Sequence, residues 1–190
     1  GLKGSAVTSL NISSNHLGPK GAAALAEGLK GNATLQSLSL GYNEIGAEGA
    51  AALTAVLNET QITTLNIGYN EIGDKGASAL AAILKETMIT ELHLAHNELC
   101  GLDFKGRGTY TAEGITKLCQ GLKGSAVTSL NLQENNIGGE GASALAAILK
   151  ETQITHLNLK VNHIGDKGVT ALAAILSETK ITHLNLKVNH

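Results

Sequence analysis

Large aromatic side chains are almost missing from this chain. Its 190 residues include three Tyr, one Phe and no Trp. A single core of that size normally draws on big rings, so Leu, Ile, Val and Ala must build the interior alone. That suits an architecture that repeats one thin layer many times. Two cysteines, Cys100 and Cys119, are too few for a disulfide framework. Cationic excess is absent, with 14 Lys and Arg against 16 Asp and Glu, so no basic footprint for nucleic acid is expected. Long apolar runs are absent too. Ala79 to Leu84 is typical, whereas a membrane span needs ~20 residues. No charged-then-apolar leader opens the chain. Asn11-Ile-Ser13, Asn32-Ala-Thr34 and Asn58-Glu-Thr60 match the glycosylation sequon, and read as chance matches in a chain rich in Asn, Ser and Thr. The expectation is a cytoplasmic protein with no membrane or nucleic-acid partner.

What is present is self-similarity. In Ile62-Thr-Thr-Leu65-Asn-Ile67-Gly-Tyr-Asn70-Glu-Ile72-Gly73 the pattern is L-x-x-L-x-L-x-x-N-x-I/L-G. Its Asn recurs at Asn15, Asn43, Asn70, Asn97, Asn135, Asn162 and Asn189, in steps of 28, 27, 27, 38, 27 and 27. The period is 27 to 28, and one step carries an 11-residue insertion near 101–111. Leu65-Asn66-Ile67 alternates apolar and polar, which predicts a half-buried strand. Asn70 falls where the chain must turn, and a column of such amides predicts an internal ladder of bonds to backbone. Asp74, with Asp166 as its copy, is placed to cap a helix start. Ala77, Leu80, Ala81 and Leu84 then lie on one helical face. One unit cannot bury its own apolar face, but stacked units can. Strands joined through helices run parallel with right-handed crossovers. The chain is thus expected to be one domain of about seven units over residues 1–190.

These residues resemble the leucine-rich repeats of the ribonuclease-inhibitor-like class, which carry a helix in every repeat. The N-x-I-G-x-x-G-A-x-A-L-A-x-x-L form is similar to repeats of NOD-like receptors and of Ran GTPase-activating protein. The resemblance implies an α/β fold: a right-handed solenoid in a horseshoe arc, its parallel β-sheet concave and its helices convex. It also implies a ligand-binding concave surface, usually for protein.

Candidate binding residues follow from the strand pattern. Residues flanking the buried Leu point to the sheet face. Glu91, His93, Gln133, His156, Lys160, His183 and Lys187 fall in these columns. Beside them stand Tyr42, Tyr69 and His96 at the rim. His156 and His183 should be neighbours about 5 Å apart, a pair that could hold a metal. Asn and Lys flank them, so copied surface residues are the preferred reading, and no metal or cofactor is expected. The insertion holds Phe104, Arg107 and Tyr110, including the only Phe and only Arg of the chain. It is expected to be a recognition loop or a tolerated surface insertion, mobile because of its three Gly. Cys119 is expected as a small buried residue, and Cys100 as an exposed one.

No nucleophile, phosphate loop or carboxylate pair recurs at meaningful spacing, so the chain is not expected to be an enzyme. It is expected to be a protein-interaction module. The alternatives are a GTPase-activating protein of the Ran type and a designed or consensus solenoid without a ligand. Residues 1–11 are identical to 121–131, which points to recent duplication or to design. No polar capping unit stands at either terminus, so a fragment of a longer chain is expected, with end-to-end association between the open strands Val7 to Ile12 and Ile181 to Val188.

Overall fold

A computed structural model of the chain describes residues 2–190. Strand and helix alternate throughout. The strands are β1 (Ser9–Asn11), β2 (Ser37–Ser39), β3 (Thr64–Asn66), β4 (Glu91–His93), β5 (Ser129–Asn131), β6 (His156–Asn158) and β7 (His183–Asn185). They form one open parallel sheet in chain order, β1 to β7. Register is constant, so Leu10, Leu38, Leu65, Leu92, Leu130, Leu157 and Leu184 make a single row. Each strand is only three residues long, shorter than the predicted Val7 to Ile12 and Ile181 to Val188. The backbone bends after the third residue because the ladder Asn claims the next carbonyls.

The helices are α1 (Gly18–Leu29), α2 (Gly46–Leu57), α3 (Gly73–Ile83), α4 (Glu113–Leu122), α5 (Gly138–Leu149) and α6 (Gly165–Ile175). Each packs on the next. Leu and Ile of the strands, the plug residues Ile45, Ile72, Leu99, Ile137 and Ile164, and the helix residues Leu53, Leu80, Leu118, Leu145 and Leu172 share one continuous core. A helix is ~10 Å wide and a strand spacing is ~4.8 Å. Small residues reconcile the two. A Cβ on Gly76 would sit 2.6 Å from Ile72 Cβ and 3.3 Å from Ala50 Cβ, so glycine is what lets α3 approach its own plug and α2.

The ladder is built as expected. Asn43, Asn70, Asn97, Asn135 and Asn162 are fully buried. Asn70 Nδ2 donates to the carbonyls of Leu40 and Gly68, both at 2.9 Å, and its Oδ1 accepts from Asn43 N at 3.0 Å. The end members Asn15 and Asn189 are more open.

The helix caps differ from expectation. Asp74 and Asp166 do not cap; they lie inside the first turn and make no cap bond. The ladder already does that work. Gly73 N donates to Asn97 O at 2.9 Å, and Ile72 N reaches Asn97 Oδ1 at 3.5 Å. The aspartates are left to favour the helix dipole by charge alone.

Candidate functional site

Each of the turns after β1 to β6 contains two residues of positive φ, one on each side of the ladder Asn. They include Tyr42 (58°) and Glu44 (55°), Tyr69 (58°) and Glu71 (54°), and His96 (53°) and Glu98 (58°). This left-handed pair turns the Asn inward and its neighbours outward. Backbone bonds hold the turns in register: Tyr42 N donates to Gly68 O at 3.1 Å, and Tyr69 N to Ala95 O at 2.8 Å. Flat side chains at one position in successive units must therefore stack. Tyr42 lies 4.0 Å from Tyr69 at 12°, and Tyr69 lies 4.6 Å from His96 at 13°.

The insertion extends this column. Phe104 stacks on His96 at 5.8 Å and 30°. His96 Nδ1 meets Glu134 Oε2 at 3.2 Å on its other flank, and Gln133 Nε2 donates to Glu134 Oε1 at 2.6 Å. Burial works to raise the Glu134 carboxyl, but bonds from Gln133 and His96 and the charge of Lys160 leave it below the usual range. The Tyr69 phenol is pushed up to about 12, first by the adjacent Tyr42 hydroxyl, then by burial and by the charge of Glu134. Sequence reasoning placed Tyr42, Tyr69 and His96 at one rim. It did not foresee that Phe104 joins them, because nothing in the insertion's composition sets its direction.

The insertion carries hydrogen bonds of its own. Asp103 Oδ1 accepts from Lys105 N at 2.9 Å and Arg107 N at 2.8 Å, and its Oδ2 accepts from Arg107 Nε at 2.7 Å. The Arg107 backbone N–H leads the groups that hold the Asp103 carboxyl below its usual range. Leu102 and Gly108 form an antiparallel bridge. Tyr110 donates its hydroxyl to Ile137 O at 2.7 Å, and Asn136 Nδ2 donates to Asp103 O at 3.0 Å, so the loop is tied to the next unit. The three Gly, at φ of 75°, 73° and 123°, serve as left-handed turns. Arg107 is thus spent inside the loop.

Cys100 also departs from expectation. It is fully buried, as is Cys119, and both are free thiols. Burial pushes each up to about 12. Of the sequons, Asn32 is 2% exposed and donates to Leu2 O at 2.6 Å, which leaves no room for a glycan there.

The sheet face itself carries a second cluster. His156 and His183 stack at 4.2 Å and 7°. Thr155 and Thr182 spend their hydroxyl protons on the carbonyls of Thr128 and Thr155. Each hydroxyl also lies 2.9 Å from its neighbouring His Nδ1. Among the described residues no group of three His, Cys, Asp or Glu is placed to hold a metal. His93 shares this shallow depression, with Ser129 between. Lys160 and Lys187 follow in the next column, Glu91 stands exposed at the strand start, and Gln133 is half-buried. Structure thus separates the predicted residues into the ring column with the insertion and the His/Lys end of the sheet.

Leucine-rich repeats are matched at residues 6–26, 31–53, 60–81, 126–146 and 152–173. These segments cover more than half of the chain, and the chain belongs to the leucine-rich repeat family. The skipped stretch is the unit with the insertion. No curated protein sequence matches the chain. Among solved structures, 54 chains match. One is "Leiomodin-1 Actin-Binding Site 2 (ABS2)", with a TM-score of 0.54 and 19% identity, covering 90% of this chain and 79% of that one. At that identity the likeness speaks for the fold, an α/β repeat solenoid.

Proposed function

We propose that this chain is a protein-interaction module that holds a partner through its sheet face and the adjoining rim. The observation that carries this reading is the ring column. Tyr42 is 55% and Phe104 67% exposed, although the chain has only four such rings and leaves no described Leu in the exposed class. Exposed, preordered aromatics are the commonest anchors of protein interfaces. The matched leiomodin-1 structure is named for an actin-binding site, a use of this fold that agrees with the reading without assigning actin to this chain.

Affinity capture from the source cells tests it. The double variant Tyr42→Ser, Phe104→Ser should retain a discrete partner about tenfold less well than the parent, the size of a hot-spot loss. A variant on the helix side, Lys85→Glu, should retain it unchanged. A partner that survives the rim variant and is lost with Lys85→Glu would overturn the assignment of this face. Acceleration of GTP hydrolysis by any of a panel of small GTPases would instead favour the Ran-type alternative.

A further inference from the structure

Alongside the rings runs a row of carboxylates. The residue after each ladder Asn reads His16, Glu44, Glu71, Glu98, Asn136, His163 and His190. Three successive units thus set Glu side by side, one strand spacing or ~4.8 Å apart. Like charges so placed repel. Glu44 is relieved by His16, whose Nδ1 lies 2.8 Å from Oε1. Among the described residues neither Glu71 nor Glu98 forms an ion pair. Burial, then Glu71 and Asp103, raise the Glu98 carboxyl above its usual range.

Between rings and carboxylates lies an open groove of about 290 Å³, lined by His16, Tyr42, Glu44, Tyr69, Glu71 and His96. Tyr42 ends the column. Its stacked face meets Tyr69, but one unit back the same position is Ser14, whose N donates to Gly41 O in the register that Tyr42 N makes with Gly68 O. A serine fills no ring's place, so the other face of Tyr42 is free. The far end of the column is different. There Lys105 Nζ lies 5.2 Å over the Phe104 ring, and Arg107 pairs with Asp103 at 2.7 Å. The loop supplies its own cations where the carboxylate row stops.

We propose that this groove, from Ser14 to His96, takes an arginine-bearing segment of the partner protein, one guanidinium stacked on the free face of Tyr42, another paired with the unpaired Glu71, and a third displacing His16 from Glu44. This rests on the protein-interaction reading above. Two features select the chemistry. Unneutralised carboxylates call for cations, and an open ring face calls for a flat group. Guanidinium is both; an ammonium is only the first, and a phenyl ring only the second. Its fork also matches a carboxylate in two-pronged fashion. The Lys105 end would repel such a segment, which sets the footprint's limit.

The test uses fluorescein-labelled eight-residue peptides of alternating Gly and Arg, Gly and Lys, or Gly and citrulline, with anisotropy as readout. The Arg peptide should bind most tightly, the Lys peptide several-fold more weakly, and the neutral citrulline peptide not measurably. Tyr42→Ala should weaken the Arg peptide about fivefold, and Glu44→Gln with Glu71→Gln about tenfold. Glu59→Gln with Glu86→Gln, at the exposed helix ends, should change nothing. Circular dichroism melts establish that each variant is folded. Equal binding of the citrulline peptide, or an unaffected Tyr42→Ala, would overturn the proposal. If the peptides fail while a captured partner still depends on Tyr42 and Phe104, the arginine inference falls and the module stands. If the peptides bind while no partner depends on that face, the module reading falls.

Discussion

Asn70 donates its side-chain amide to the carbonyl oxygen of Leu40, thirty residues earlier and one unit away, at 2.9 Å. The same side chain accepts from Asn43 N and lies fully buried. Removing it takes the acceptor from two buried N–H groups, Asn43 N and Ile45 N, while Leu40 O and Gly68 O keep Asn43 Nδ2 and Tyr42 N. Asn70→Ala should therefore cost about 1–3 kcal/mol. Asn15, at the open end of the same ladder, bonds to Ile12 O and Ser13 O but is exposed. Asn15→Ala should cost under about 0.5 kcal/mol. Urea denaturation of the two variants checks the contrast; equal losses would end the ladder argument.

The backbone pattern makes a second prediction. The positive-φ position before the ladder Asn suits Asn or His tolerably, but β-branched residues badly. Val161 occupies it at 53°. Val161→Asn should raise stability by about 0.5–1.5 kcal/mol, since left-handed backbone costs a Cβ-bearing residue about 1–2 kcal/mol. A lower urea midpoint for Val161→Asn would show that its packing outweighs its strain.

These two cases mark how far the sequence could be read. Period two around Leu65, the Asn spacing and the helical face of Leu80 are set by local geometry, so strand, turn and helix were legible. The ladder was legible because Asn returns at the turn after every strand. The helix caps were not: Asp74 is of the right type, yet the helix already starts at Gly73, whose N–H bonds Asn97 O in the next unit, so Asp74 falls inside the first turn. Cys100 misled for a related reason. It follows a core plug directly, but its surroundings are set by a loop whose path depends on Asp103, Asn136 and Tyr110 together. For the site, Tyr42, Tyr69 and His96 share one register and stack by necessity, while Phe104 reaches them only through that same loop.

The buried thiols predict a pH dependence. Cys100 and Cys119 rise from 9.0 unfolded to about 12 folded. The unfolded chain therefore ionises first, and the stability held below pH 9 is lost as pH rises toward 12. Tyr69, raised from 10.0 to about 12, acts in the same direction. Cys100→Ala with Cys119→Ala should flatten the fall of the urea midpoint between pH 9 and pH 11. The parent should also leave its thiols unreacted by a disulfide reagent at pH 8 until unfolded. A rapid reaction at either thiol would contradict their burial.

The last prediction concerns the insertion. Removing residues 101–111 restores the 27-residue step and aligns Leu99-Cys100-Ala112-Glu113-Gly114 with Ile72-Gly73-Asp74-Lys75-Gly76. That alignment puts Cys100 where the other units hold a left-handed glycine: Gly46 at 60°, Gly73 at 62°, Gly138 at 64° and Gly165 at 52°. Cys100 itself is not left-handed in the intact chain. The plain deletion thus trades the loop for strain at one residue, of order 1–2 kcal/mol. It also loses the Tyr110 bond to Ile137 O and the Phe104 stack on His96. The deletion alone should fold with reduced stability. Adding Cys100→Gly should recover about 1 kcal/mol of it, because glycine enters the left-handed region freely. Partner binding should stay impaired in both variants, since neither restores Phe104 to the column. If Cys100→Gly brings no recovery, the shortened unit does not adopt the turn of its neighbours. If neither variant folds, the loop is part of the solenoid's core and not an addition to its rim.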